Sequence, residues 1–264
     1  MAQPDTQRHT LLEARREVSV AIRASEEWQP SYKAHPETFK ALLKHEAELE
    51  EQVSEYLAGL AERAPTYVDW TVYSGKLNAS ADGDLNATDA VWKQEQINFT
   101  KAVVDAIELL IATGGQAGEL EYGIALGITS LTDSVTKAAR DQVAELVSGV
   151  FDTNRKLIRE AIRSSLTRGE TLQDAAERIK KVINNPVRAE MIAQTESVNA
   201  YQTGLKNFGL ASGAKRKTWE SLAGACKVCA PLDGETVDID EMFSNGKDKP
   251  SAHPRCRCGI YLEY

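Results

Sequence analysis

The chain has 264 residues, 42% of them hydrophobic and 27% charged, with a formal net charge of −8. That length holds one large domain or two modest ones with a core, and the composition excludes a wholly disordered chain. No run of about 18 apolar residues occurs, since the stretch from Ala102 to Thr113 is interrupted by Asp105 and Glu108, and the N-terminus lacks an apolar signal core; no membrane association is expected, and the cytoplasm of the producing cell is the expected compartment during synthesis.

The charge is unevenly spread. Residues 1–150 hold 13 Lys+Arg against 24 Asp+Glu, residues 151–220 hold 13 against 8, and residues 221–264 hold 5 against 7. A basic middle suits local, non-specific contact with nucleic acid or an acidic partner, although spaced charges of this kind also suit solvated helix faces.

In chain order, Leu11, Leu12, Val18 and Ile22 predict a helix ended before Pro30. Pro36 opens a second helix whose apolar line runs through Phe39, Leu42, Leu43, Ala47, Val53, Tyr56, Leu57 and Leu60, with an acidic face from Glu46 to Glu55. Residues 66–73 predict a short strand and residues 74–89 a loop. Helices are expected again over 91–113, stopped by Gly114-Gly115, then over 117–127, 132–149 and a further stretch ending at Arg168-Gly169. Thr171 and Asp174 form a capping box, and Asn185-Pro186 opens a helix to about Leu205. Lys215 to Glu220 predicts a strand. The expected architecture is mainly α: a helical region over 1–149, then an α+β domain over 150–264 with a small Cys/His-clasped tail.

All four cysteines fall in that tail, as Cys226-Lys-Val-Cys229 and His253-Pro-Arg-Cys256-Arg-Cys258. Two residues between cysteines let one turn aim both sulfurs at one ion, and a reducing compartment favours zinc over disulfides. Five candidate ligands exceed the four that tetrahedral zinc needs. The preferred set is Cys226, Cys229, Cys256 and one of His253 or Cys258, holding a structural Zn²⁺; disulfides, free thiols and a catalytic metal or nucleophilic cysteine remain the alternatives.

The helix from Arg188 carries Thr195, Asn199 and Gln202 near one face, beside Glu196. Such a stripe predicts an internal hydrogen-bond network, with an active-site role for Arg188 and Glu196 as the alternative. No phosphate loop, nucleophile elbow or dinucleotide fingerprint is present, so no enzyme is predicted. His9 and His45 are expected on exposed helix faces and His35 in a loop.

Taken together, Arg188-Ala-Glu-Met-Ile-Ala-Gln-Thr-Glu196, Lys217-Thr-Trp219, Cys226-Lys-Val-Cys229, Leu232-Asp-Gly234, Glu241-Met-Phe243 and Pro250-Ser-Ala-His253-Pro-Arg-Cys256-Arg-Cys258 resemble the phage Mu F-like minor head proteins. The resemblance covers about residues 150–264. Gln194 stands where the family has arginine, Ser251 where it has a second proline, and Ser221 to Ala225 lack the family's aspartate. The resemblance implies a minor head protein in the virion, near the portal vertex, tied to head assembly and to DNA packaging or ejection. Its implied partners are the portal protein or major capsid protein, with possible contact to phage DNA. The alternatives are a virion-carried enzyme, such as an ADP-ribosyltransferase-like effector, and a DNA-binding zinc module.

Overall fold

Apolar stripes become helices along most of the chain in the computed structural model, which describes residues 4–70 and 89–264. The helices are α1 (Pro4–Ala24), α2 (Pro30–Lys33), α3 (Pro36–Arg63), α4 (Asp89–Tyr122), α5 (Asp133–Arg168), α6 (Leu172–Ile183) and α7 (Pro186–Ser212). Strands β1 (Arg216–Glu220), β2 (Thr236–Asp238) and β3 (Gly259–Glu263) form an antiparallel sheet in the order β2-β1-β3. The expectation of a mainly α chain with α+β character near its C-terminus is met. Among the described residues, no helix is long and apolar enough to cross a membrane.

Several local expectations need correction. Gly114-Gly115 does not stop α4, because the glycine serves a helix crossing instead. A Cβ on Gly114 would lie 1.9 Å from the carbonyl oxygen of Tyr201, and one on Gly204 would lie 1.9 Å from that of Ile111. The backbones of α4 and α7 thus meet where neither has a side chain, and burial outweighs the roughly 1 kcal/mol cost of an interior glycine. Residues 123–127, expected to be helical, follow the end of α4, with Gly123 and Gly127 at positive φ. The two helices expected over 132–168 are one, since the buried line Val135, Ala139, Val143, Leu146, Val150, Ile158 and Ile162 runs through it without a break. The strand expected from Thr66 is replaced at Ala64–Tyr67 by a 3-10 turn with Pro65 near its start. Residues 71–73 of that expected strand and residues 74–88 of the loop lie outside the described residues.

The capping box is present: Asp174 N–H donates to Thr171 Oγ1 at 3.2 Å, and Thr171 N–H donates to Asp174 Oδ2 at 3.2 Å. The apolar line of α3 is buried from Leu42 to Leu60, whereas Val18 and Ile22 on α1 are exposed. Glu46, expected on the acidic face of α3, is inside, and Arg23 is buried as well.

The chain divides into two units assembled from interleaved stretches. One comprises Met1–Glu50, Asp105–Arg140 and Met191–Tyr264; the other comprises Glu51–Val104 and Asp141–Glu190. The second unit contains an aromatic group, with Tyr56 and Phe99 4.7 Å apart and Phe151 6.3 Å from each. Beside it, the buried Glu95 carboxylate accepts from Tyr56 at 2.7 Å, Tyr67 at 2.6 Å and Arg63 Nε at 2.6 Å. Burial works against this carboxylate, but the hydrogen bonds from Arg63, Tyr67 and Tyr56 hold its pKa below the ordinary 4.5.

A depressed carboxylate pKa adds stability that is complete above the unfolded value and lost as pH falls through the folded one. Glu95→Gln is therefore expected to cost about 1–3 kcal/mol at neutral pH. It should also flatten the loss of stability below the ordinary 4.5. Urea unfolding across pH 3 to 7, bounds chosen as roughly spanning carboxylate titration, checks both; parallel curves for the two proteins would refute the assignment.

Candidate metal centre and the residues that clasp it

The tail folds onto the sheet and α7 through a common core. Alternation in β1 turns Lys217 and Trp219 inward, and alternation in β3 turns Ile260 and Leu262 inward. These pack with Phe208, Leu232, Ile239 and Phe243, and Cys229, Cys256 and Cys258 are part of the same buried cluster. Burial of Lys217 is offset by its ammonium donating to Ile239 O at 2.9 Å and to Asp248 at 2.6 Å. Lys206 donates to the same carboxylate at 2.8 Å.

All five predicted ligands come together. The Cys-x-x-Cys knuckle is a tight turn in which the Cys229 and Ala230 amides donate to Cys226 O at 3.1 and 2.9 Å. Cys226 Sγ lies 3.1 Å from His253 Nε2, and Cys229 Sγ lies 3.8 Å from Cys256 Sγ. Ligand atoms of Cys226, Cys229 and His253 fall within 4.8 Å of one another, as do those of Cys229, Cys256 and Cys258, so Cys229 joins the two groups. None of the four cysteines forms a disulfide.

The donor set fits a soft divalent ion. Sulfurs sharing a tetrahedral zinc lie about 3.8 Å apart, given Zn–S bonds of about 2.3 Å, which matches the Cys229–Cys256 separation. His253 Nδ1 is 2.8 Å from Pro254 O. A carbonyl oxygen can only accept, so Nδ1 carries the hydrogen and Nε2 presents its lone pair toward Cys226, the arrangement expected of a metal-bound imidazole. Protonation is unequal among the buried sulfurs. The hydrogen bond from Cys256 draws Cys258 down to about 6, the same contact pushes Cys256 well up, and burial pushes Cys229 up to about 12. A cation among them would replace protons that the buried thiols otherwise keep.

The polar stripe of α7 holds the tail in place. Thr195 Oγ1 accepts from Arg255 N–H at 3.1 Å, and Asn199 Oδ1 accepts from Ser251 N–H at 3.0 Å and from its hydroxyl at 2.9 Å. Gln202 Oε1 accepts from Ile260 N–H at 3.1 Å, while its Nε2 donates to Tyr32 Oη at 2.7 Å. Tyr32 in turn donates to Cys258 O at 2.8 Å. Ser251 supplies an amide hydrogen that proline lacks, which accounts physically for one departure from the family pattern. Glu196 accepts from Asn199 at 3.3 Å. In the second unit, Arg188 donates to Asn154 Oδ1 at 2.5 Å and to Val150 O at 3.2 Å.

Arg257, between two of the cysteines, was not singled out by the sequence pattern. Its guanidinium is bidentate to Glu46 at 2.8 and 3.0 Å and also reaches Glu26 at 2.9 Å. It lies over the Trp28 ring, 3.9 Å from the centroid. Arg23 reaches Glu46 at 3.1 Å and also pairs with Glu50. Burial pushes the Glu46 carboxyl up against the pull of Arg257 and Arg23. Arg257 itself feels an opposing effect of burial, outweighed by Glu46 and Glu26, so it stays charged. The signal was available in Cys-Arg-Cys, but its acidic partners lie more than 200 positions away.

A family model described as Phage Mu protein F like protein matches residues 156–261. No curated protein and no solved structure matches the chain.

Removing one member of a buried ion pair costs about 3–5 kcal/mol, so Arg257→Met should destabilise the protein by that amount. Adding Glu46→Leu should recover part of the loss. Guanidinium unfolding of both variants checks this, and a single-mutant cost within experimental error of zero would show that the cluster carries no stability.

Proposed function

We propose, from the match of residues 156–261 to the Phage Mu protein F like family model, that this chain is a minor structural protein of a phage head that acts in head assembly. The family match carries the reading, and the geometry supports a structural role for its most distinctive residues. Thr195, Asn199 and Gln202 are occupied in holding backbone, and Arg188 in holding Asn154 and Val150. The finer proposal is that residues 1–149 supply contacts to the portal or capsid protein, placing the protein at the portal vertex during packaging. Co-purification with portal protein from cells making empty heads is the expected result. Absence from both immature and mature particles would overturn it.

The proposed ion is one structural Zn²⁺ held by Cys226, Cys229, Cys256 and His253. The 3.1 Å approach of His253 Nε2 to Cys226 and the anchoring of its other nitrogen favour histidine over Cys258 as the fourth ligand. Bound there, zinc would supply a cross-link between the knuckle and the tail rather than chemistry. Elemental analysis of reduced protein should give one zinc per chain, with thermal stability falling on chelation. His253→Ala should lose the metal and Cys258→Ser should keep it; the opposite pattern would reassign the fourth ligand.

A further inference from the structure

Away from the cysteines, the first unit contains a cleft of about 410 Å³, its open mouth included, with an unbalanced set of polar groups on its walls. Glu121 on α4 and Glu220 at the end of β1 both line it, as do Ser31 and His35. His35 Nε2 lies 2.8 Å from the Glu121 carboxylate. Glu220 has the Ser31 hydroxyl as its hydrogen-bond partner and no cationic partner among the described residues. Burial first, then the charges of Glu121 and Asp233, push its carboxyl above the ordinary range.

A second feature is independent of the acids. Tyr201 on α7 lines the same cleft, is only 4% exposed, and its hydroxyl has no hydrogen-bond partner among the described residues. A hydroxyl that opens onto the cleft without a protein partner is free to accept from a bound donor. Nearby Tyr122 and Tyr32 already use their hydroxyls, with Leu262 N–H and with Gln202 and Cys258. The cleft therefore has two carboxylates and a spare hydroxyl, with Ser31, His35 and Gln202 as its other polar residues and aromatic and aliphatic side chains around them.

We propose that this cleft binds a primary alkylammonium group, from a partner protein's lysine or from a free alkylamine, with Glu220 and Glu121 as counter-charges and the Tyr201 hydroxyl as an acceptor. An ammonium has three donors that can point to acceptors on three different elements, whereas a guanidinium requires a coplanar pair. The tyrosine rings and Leu205 and Ile260 suit the alkyl stem and favour a cation over their faces. The proposal does not depend on the head-assembly reading.

The test is NMR titration of the full-length protein with n-butylammonium and with an end-blocked Ala-Lys-Ala peptide, using tetramethylammonium at equal ionic strength as the control. Saturable shifts at Tyr201 and Glu220 are expected with the first two, and binding about tenfold weaker with tetramethylammonium, which cannot donate. Glu220→Gln should weaken binding about tenfold and Tyr201→Phe about threefold, with Glu121→Gln as a surface variant that keeps the fold. Tighter binding of the peptide identifies a lysine source, and tighter binding of butylammonium identifies a free amine. Shifts no different from those of the control, or binding unchanged in both Glu220→Gln and Glu121→Gln, would overturn the proposal, as would displacement by Mg²⁺ at lower concentration than either amine.

Discussion

The first unit depends on one buried guanidinium. Arg257 reaches Glu46 and Glu26 from a position between two of the candidate metal ligands, and it lies over Trp28. Charges are expensive to bury, and the cost is tolerable here because every partner has the geometry to match. This arrangement commits the tail to one docking position: a shift of the Cys-Arg-Cys segment by a single residue would remove the cation and leave Glu46 buried with Arg23 alone. The hydrophobic contacts around it are less selective, since leucines and isoleucines tolerate small displacements that a bidentate pair does not.

The hydrogen bonds from α7 repeat the same logic along a line. Thr195, Asn199 and Gln202 sit four and three residues apart, on one face of a helix, and each holds a different point of the tail backbone. Backbone amides in a tail with so little regular structure have no ladder to satisfy them, so side chains must. The polar stripe of α7 is thus accounted for by the needs of an irregular segment.

Legibility divided along the distance between partners. Helix α3, the capping box at Thr171, strand β1 and the convergence of Cys226, Cys229, His253, Cys256 and Cys258 were all readable, because each rests on local spacing. Glu46 and Lys217 were not, since both look like surface residues until a partner from a remote stretch is placed beside them. Gly114 was misread for a related reason: a glycine that permits a helix crossing has the same one-letter code as a glycine that ends a helix. His35 looked like an ordinary loop residue and instead faces Glu121. Neither signal exists in a window of a few residues.

The interleaving of the two units bears on how the protein is made. Glu26 and Glu46 emerge from the ribosome early, while Arg257 emerges more than 200 residues later. At about 5–20 residues per second, that separation leaves the acidic pocket without its cation for on the order of ten seconds or more. Contacts of such long sequence separation also close slowly. The unit made of Glu51–Val104 and Asp141–Glu190 has no such wait for the cysteine segment, since all its residues precede it. Order of synthesis and order of folding therefore need not coincide in this chain.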